Sequence, residues 1–571
     1  MKLKDYIPIL SWLPAYQRKE LSNDVMAGLI VGIMFIPQGM AYAMLAEMPP
    51  IYGLYMGTVP LLLYAIFGTS KILEVGPVAL VSLMTANAVS QMARPGSEEF
   101  LGLAALLALL VGGVLFLAGI LRFGFLVNFL SQPVLSGFTS AAALIIGLSQ
   151  LRHLLGLELP RTFYIHETIW QVLQQLDAIN VPAFLIGIAA MAIIISVRRI
   201  HRSIPGSLIA VVGGILIVWS MELDVAIVGS VPDGLPAFAM PKLDMEQAKE
   251  LLSVAFLIGL VGFLQSIAIG KALRPDGDRS VVRPNQELLA IGLVNMIGSF
   301  FQIYPAFGGF GRSAVNHQSG GKSGLSFVVT AIFITITLLF LTKLFFYLPT
   351  SVLAAIVMVA VFSLIDLKGA LRFWKWNRTD FFTMMATFIA TLSIGIEEGI
   401  GLGVLLSLVM VIYRISRPHI GVLGRVPNTG IFRNVERFSD VEVRPDVLIM
   451  RFDAQLYFAN VPVFLAKLNE MIRAKGPELK HIILNAKVIN YLDSSAILAL
   501  ENFLDEQKAE GRIVYFTGVL GPVRDAMVRS KLMKKIGSGN VFLSVNTAMS
   551  YIESDRQRKP HPHPYNFQRN S

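Results

Sequence analysis

The sequence predicts an α-helical protein that crosses a membrane many times and ends in a small α/β domain. Three observations predict this. Hydrophobic residues make up 54% of the 571 residues and charged residues only 15%, against about 25% charged in a typical soluble domain. Apolar runs recur from about Met26 to Ile412, many near the roughly 20 residues that span a hydrocarbon core. Beyond Arg417 the chain turns polar, and from about Val441 short β-rich runs alternate with helical ones.

About fourteen apolar segments precede Arg417. They lie near 25–45, 51–68, 77–92, 100–121, 125–149, 181–197 and 205–221, then near 251–271, 286–302, 311–318, 325–342, 345–365, 379–395 and 399–414. The third and the tenth are short or interrupted, opening after Glu74-Val75-Gly76-Pro77 and after Phe307-Gly308-Gly309-Phe310. A backbone broken by glycine and then opening a helix gathers free N–H groups and a positive dipole end in one place. Between Pro305 and Asn316 this apolar surrounding also carries one arginine, Arg312. A charge at bilayer depth costs at least a few kcal/mol, about 2.5–3.5 by insertion scales, and marks a substrate or ion pathway by default. A guanidinium beside a helix N-terminus favours an anion.

The loop charges fix an orientation. One set of loops carries Arg18, Lys19, Lys71, Arg122, Arg198, Arg199 and Arg202, then Lys271, Arg274, Arg279, Arg283, Lys368, Arg372, Lys375 and Arg378. The alternate loops collect Glu98, Glu99, Glu222, Asp224, Asp233, Asp244, Glu246, Glu397 and Glu398. Both termini are therefore expected on the cytoplasmic side. The two halves also resemble one another. Gly32-Ile-Met-Phe-Ile-Pro-Gln38 in the first span matches Gly259-Leu-Val-Gly-Phe-Leu-Gln265 in the eighth. Each glutamine is followed by a small residue, Gly39 or Ser266, and then by Ala41 or Ala268. Seven spans apart, the second copy runs the opposite way, as in an inverted repeat. The match is short, and its weight comes from the interrupted segments falling in corresponding places.

Several classes of function are excluded. The chain has no cysteine, so disulfides, thiolate metal sites and thiol nucleophiles are absent. The start, with Lys2, Lys4 and Asp5 ahead of prolines, does not read as a cleavable signal peptide. The net charge of +10 belongs to the loops of one face and implies no nucleic-acid partner. His561 and His563 are too few for a metal site, and no nucleophile–base pair or cofactor motif accompanies the Arg312 segment, so no enzyme is expected.

In the polar part, Val447–Phe452, Leu456–Phe458, His481–Asn485 and Arg512–Phe516 read as strands. Amphipathic helices follow through Ile472, from Asp493 to about Glu510, near Pro522–Lys535 and near Thr547–Glu553. The chain from Arg556 is polar and reads as a disordered tail. Asp493 stands where a strand passes into a helix. Its plain role is an N-cap worth about 0.5–2 kcal/mol. The alternative is a phosphorylation or ligand-contact point made with Ser494 and Ser495.

In order along the chain, Phe35-Ile-Pro-Gln-Gly-Met-Ala-Tyr-Ala43, Pro49-Pro-Ile-Tyr-Gly-Leu-Tyr55, Phe67-Gly-Thr-Ser70, Val75-Gly-Pro-Val-Ala79, Asn285-Gln-Glu-Leu288 and the Arg312 segment resemble the SulP sulfate permeases. The polar part resembles a STAS domain, with Asp493-Ser-Ser-Ala496 at its Asp-Ser-Ser/Thr-Gly motif. The resemblance covers nearly the whole chain. It implies a seven-plus-seven inverted repeat, with a mobile core domain from spans one to four and eight to eleven, and a gate domain from the remainder. It further implies a homodimer, elevator-like alternating access, and a substrate held between half-helices three and ten. Carried over by position, the substrate site comprises Gln38, Tyr42, Pro77, Val78, Ala79, Gln265, Phe310, Gly311, Arg312 and Ser313. Asp493, Ser494 and Ser495 are the STAS residues that regulation could use.

The expected organisation is a cytoplasmic arm (1–24), a transport domain (25–416), a linker (417–440), a STAS domain (441–555) and a tail (556–571). The expected function is secondary transport of a small inorganic oxyanion, sulfate first, as a symporter or exchanger in a bacterial inner membrane. Expected partners are the anion, the lipid bilayer, a second copy and a cytoplasmic protein meeting the STAS domain. Bicarbonate, chloride and C4-dicarboxylates are alternative substrates, and a transport-inactive anion sensor or scaffold is the alternative class. Nucleobase permeases share the fold but need carboxylates facing the base, which Gln265 and Arg312 do not supply. The chain departs from the family pattern at Gln265, where many bacterial members have an acidic residue able to carry a coupling proton or sodium ion. Glu47, Glu74, Glu397 and Glu398 remain as coupling candidates, each read first as an interfacial or loop carboxylate. Ala496 replaces the motif glycine, a mild change that leaves Ser494 in place.

Overall fold

The computed structural model describes residues 6–125, 131–157, 159, 165–200, 205–242, 244–273 and 282–556. Lys2, Lys4, Asp5, Arg202, Arg274, Arg279 and the polar end from residue 557, with His561 and His563, lie outside the described residues. The chain divides into two compact units, Met1–Ser407 and Leu408–Ser571.

Each expected apolar segment of the first unit coincides with a helix. Six stretches are long and apolar enough to cross a membrane by length and composition: Arg18–Leu45, Pro50–Phe67, Glu98–Ile120, Gln132–Leu155, Met245–Ala272 and Thr350–Trp376. Shorter apolar helices are Ala79–Val89, Val181–Val197, Gly206–Met221, Leu325–Phe340 and Gly401–Ser416. The second expected span is itself broken, into Pro50–Tyr55 and Val59–Phe67.

Packing follows two groupings. The helix Leu21–Leu45 lies against Leu325–Phe340, and Glu98–Ile120 lies against both Pro284–Ser299 and Met245–Ala272. Separately, Gln132–Ser149 lies against Arg378–Ser393, and Val181–Ile200 against Gly206–Met221 and Thr350–Phe362. Glu98–Ile120 and Pro284–Ser299 approach one another closely. A Cβ on Gly292 would stand 2.7 Å from the Phe116 backbone nitrogen, and one on Gly112 would stand 2.7 Å from the Gly292 carbonyl oxygen. Small residues that let helix backbones touch are the main source of helix association in lipid, where no hydrophobic force separates helix from solvent.

Two short strands interrupt this helical unit. Strand β1 (Val75–Gly76) pairs antiparallel with β2 (Phe307–Gly308), with Val75 opposite Gly308 and Gly76 opposite Phe307. Each leads into a half-helix, Ala79–Val89 and Phe310–Gln318. Because the strands are antiparallel, the half-helices leave the crossing in opposite directions with their N-termini beside it.

The second unit is a six-stranded sheet in the order β4-β3-β5-β6-β7-β8, formed by Ile420–Arg425 (β3), Phe432–Asn434 (β4), Val447–Phe452 (β5), His481–Asn485 (β6), Ile513–Thr517 (β7) and Val541–Phe542 (β8). Strands β5 to β8 are parallel, and β3 is antiparallel to both its neighbours. Alternate residues serve two cores, Leu448, Met450 and Phe452 on one face and Val447 and Ile449 on the other, as the two-residue strand period requires. Two expectations change here. The stretch 417–440, read as a linker, supplies β3 and β4. Leu456–Phe458, read as a strand, makes only an isolated bridge from Leu456 to Leu492, because the Phe458 N–H donates to the Asp493 carboxylate at 2.9 Å instead.

Gly292→Leu is expected to force the Glu98–Ile120 and Pro284–Ser299 helices apart and cost on the order of 1–3 kcal/mol or more. A thermal melt of the purified protein in detergent, well below that of Gly213→Leu, checks this, since a Cβ on Gly213 meets nothing within 4 Å.

Candidate functional site

The site is built around the strand crossing. Neither half-helix has a side-chain cap: Val78 and Gly309 occupy the N-cap positions in extended conformation and offer no side-chain acceptor. The first-turn N–H groups of an α-helix lack intrahelical partners, so an uncapped terminus holds donors in reserve. Here two such termini meet.

Side chains from two other helices and from the half-helices themselves hold the crossing. Asn295 clamps the residue before β2, donating to the Ala306 carbonyl at 2.9 Å and accepting from the Ala306 N–H at 2.7 Å. The Ser266 hydroxyl accepts from the Gly308 N–H at 2.9 Å and donates to the Gly262 carbonyl at 2.7 Å. On the other strand, the Glu74 N–H donates to the Ser313 hydroxyl at 2.9 Å, and the Gly309 N–H donates to the Glu74 carbonyl at 2.9 Å. Tyr304, fully buried, meets the Ser82 hydroxyl at 3.3 Å.

Arg312 is 1% exposed and lies in the middle of this frame. Its guanidinium carbon stands 4.8 Å from the Phe35 ring centroid, and Nη2 donates to the Pro77 carbonyl at 2.9 Å. Its Nε is buried without a partner. Among the described residues no carboxylate comes within 4.0 Å of it. Gly309 makes the room, since a Cβ there would lie 2.7 Å from Nη2. The arginine thus crosses from the second half-helix to the mouth of the first, and its positive charge is not cancelled locally.

The other expected residues fall at differing distances from this point. Pro77, Val78 and Ala79 form the buried entry to the first half-helix. Phe310 is 49% exposed and Gly311 is exposed, so the second half-helix opens outward at its N-terminus. Gln38 is half-buried on the proline-containing helix Leu21–Leu45, and its amide nitrogen lies 3.9 Å from where a Gly311 Cβ would be. Tyr42, one turn further on, is buried and in electrostatic reach of Arg312. Gln265 is half-buried next to the strand-holding Ser266. Ser313 is buried and its hydroxyl is engaged by Glu74.

Sequence reasoning missed Phe35, Asn295, Ser266 and Asn316. Phe35 lies three residues before Gln38, on nearly the same helix face, and Asn316 lies four after Arg312, so helical spacing alone pointed to both. The coupling candidates separate clearly. Glu47 lies 3.8 Å from Arg152, Glu398 is exposed, and the Glu397 side chain lies outside those described. Glu74 lies in the irregular stretch just ahead of β1, as expected, but is fully buried. A separate cavity of about 300 Å³ is lined by Trp12, Tyr64, Thr69, Lys71, Arg283 and Phe327 among others, and none of the expected substrate residues line it.

The profile of the sulfate permease family matches residues 21–387. The chain belongs to the sulfate permease family. The STAS domain profile matches residues 439–548. The probable sulfate transporter 4.2 of Arabidopsis thaliana is 39% identical over 95% of this chain and 83% of its own length. Sulfate transporter 4.1, chloroplastic, of the same plant is 37% identical over 98% and 86%. Among solved structures, murine Solute Carrier 26 family member A9, an anion transporter in the inward-facing state, matches with a TM-score of 0.88 at 25% identity, over 96% of this chain and 94% of that one. The transmembrane domain of the cyanobacterial bicarbonate transporter BicA matches in fold with a TM-score of 0.59 at 23% identity, over 69% and 98%. This sulfate permease is a multi-pass membrane protein with a C-terminal STAS domain. In that domain Asp493 accepts from the Ala496 N–H at 2.8 Å as an N-cap, while its second oxygen takes the Phe458 N–H. Ser494 and Ser495 begin the capped helix Ser494–Ala509.

Asn295→Ala leaves the buried Ala306 N–H and carbonyl unpaired. The expected loss is on the order of 2–4 kcal/mol, read as a lower melting temperature in detergent.

Proposed function

We propose that this permease is a secondary transporter of sulfate, not an enzyme, acting in a bacterial inner membrane with both termini cytoplasmic. One observation carries the reading: two uncapped helix N-termini meet at a strand crossing around a buried guanidinium that has no carboxylate in ion-pair contact. Such a place has donors and a positive field, with no carboxylate in direct contact with the charge. Relatives named as sulfate transporters, at 39% and 37% identity over nearly the whole chain, support sulfate as the anion.

The residues divide the work. Backbone N–H groups at Val78–Ala79 and at Phe310–Arg312 donate to the oxyanion without requiring a charged side chain at contact. Gln38 contributes an amide donor from the facing helix, and Tyr42 closes the wall. Gln265 lies at the matching place on the related helix, beside Ser266. Arg312 is turned onto Phe35 and Pro77, so it supplies the field from behind the donors and holds the first half-helix to the second. Ser313 sets the strand position through Glu74.

For transport, the helices around the crossing move as one body against the rest. The two packing groupings support this division: Leu21–Leu45, Glu98–Ile120, Pro284–Ser299 and Leu325–Phe340 on one side, Gln132–Ser149, Val181–Ile200, Thr350–Phe362 and Arg378–Ser393 on the other. In this reading they are the core and the gate of a seven-plus-seven inverted repeat, and the core carries the anion across as an elevator in a homodimer. The STAS domain offers the face for a cytoplasmic partner, with Ser494 and Ser495 at a helix start where a phosphate would be favoured.

Radiolabelled sulfate uptake into proteoliposomes tests the reading, with bicarbonate, chloride and succinate as competitors. Saturable uptake is expected, competed weakly by the other anions. Arg312→Ala is expected to raise the sulfate KM or lower uptake by on the order of 10- to 100-fold, as loss of a unit charge acting through the field of a low-dielectric site would. Flux of another anion alone would move the substrate, and anion binding without flux of any kind would make the protein a sensor.

A further inference from the structure

The Glu74 carboxylate lies immediately behind the site and is used by nothing described so far. It precedes β1, its side chain is fully buried, and its backbone ties both elements of the crossing together through Ser313 and Gly309. One carboxylate oxygen accepts from the Asn316 amide of the second half-helix at 3.2 Å. The other, Oε2, is buried without a hydrogen-bond partner. So is Oδ1 of Asn316, the same side chain that donates to Glu74, to the Ile72 carbonyl and to the Ser326 hydroxyl. Two acceptors in contacting side chains, both buried and neither supplied with a donor, lack one hydrogen between them.

The charged neighbour is Arg312, in electrostatic reach of Glu74 though not in ion-pair contact with it. Tyr42 and Tyr304 are the titratable groups around that arginine. The carboxylates on adjoining elements are already committed. Asp24 of the Leu21–Leu45 helix accepts from the Lys322 and Ser323 N–H groups and the Ser323 hydroxyl, and Glu287 accepts from the Tyr64 hydroxyl at 2.8 Å and the Thr69 N–H at 2.6 Å. Among the described carboxylates at the crossing, Glu74 is the one with an oxygen left open. Gln265, beside the strand-holding Ser266, cannot titrate.

We propose that Glu74 binds the proton that this permease couples to its anion. The inference rests on the sulfate-transport reading and assigns its coupling ion and site. With Glu74 ionised, the Arg312 charge is shared before any substrate arrives, and a sulfate dianion meets a second negative charge behind the half-helices. A proton from solvent that bonds to the open carboxylate oxygen forms a neutral carboxyl group, breaks no bond in the protein, and returns the whole arginine field to the anion. When the anion leaves on the other side, the ionised form is favoured again and the proton returns to water. Anion and proton therefore favour each other's binding, and linkage makes the effect reciprocal. Acid tightens sulfate binding, by at most about tenfold per pH unit for one linked proton.

The test uses the full-length protein in two measurements. In weakly buffered detergent solution containing a pH indicator, sulfate added to the wild type is expected to draw protons from solution. In proteoliposomes, an inward proton gradient is expected to stimulate sulfate uptake by the wild type, and Glu74→Gln is expected to lose both that stimulation and the pH dependence of sulfate affinity. Stimulation that survives in Glu74→Gln overturns the proposal. So does sulfate binding to the wild type without proton uptake, an observation that needs no variant to fold, and so does stimulation by a sodium gradient in place of a proton gradient. Wild-type protein that neither binds nor carries sulfate at any pH overturns the transport reading itself, and the coupling assignment with it.

Discussion

The structure turns on an arginine held at a place where a charge is expensive. Placing Arg312 at bilayer depth costs at least a few kcal/mol. The Phe35 face returns about 0.5–2 kcal/mol of that, and the Pro77 carbonyl a similar amount as a charge-assisted bond. Neither contact is negative. Further stabilisation comes from charge at longer range, Glu74 among it. The residues that surround Arg312 serve this arrangement: Gly309 leaves space for it, Gly76 leaves space for the Phe35 ring that the arginine packs on, and Gly308 leaves space for Leu73.

An extended crossing inside a helical membrane protein carries its own difficulty, because backbone groups in such a place must find partners within the protein. The strand pairing meets part of that need, and Asn295, Ser266 and Ser313 meet another part with side chains from separate helices. The first turns of the two half-helices have no side-chain acceptor at their N-caps, and the second opens where Phe310 and Gly311 are exposed. Behind the crossing, Gly112 and Gly292 let the Glu98–Ile120 and Pro284–Ser299 backbones come into contact.

How much of this was legible in the sequence depended on the range of the interaction. Helix positions were legible, because each is written in a local apolar run, and so were the half-helix starts, because glycine and proline mark them within a few residues. Arg312 was conspicuous as a charge in apolar surroundings. Its direction was not, since Phe35 and Pro77 reach it from distant parts of the chain and no local pattern records their approach. Glu74 read as a loop carboxylate because Lys71 precedes it and Gly76-Pro77 follow it, which is also what a buried turn looks like. In the STAS domain, β3 was hidden by the glycines of Ile420-Gly-Val-Leu-Gly-Arg425, and Leu456–Phe458 looked like a strand although Asp493, far along the chain, takes its backbone donor.

The proposed coupling role of Glu74 is coherent on electrostatic grounds. A coupling carboxylate need not touch the transported anion. It has to share a low-dielectric region and a common counter-charge with it, and to move with it. Residue 265 lies on a helix whose next residue, Ser266, bonds to β2, while Glu74 lies at the edge of β1 and bonds to the same half-helix that carries Arg312. Both positions belong to the frame of one crossing. A carboxylate at the edge of β1 lies within the field of the arginine, and the neutral glutamine at position 265 offers hydrogen bonding without adding negative charge. What the proposed coupling requires is the shared counter-charge, not contact between the acid and the anion.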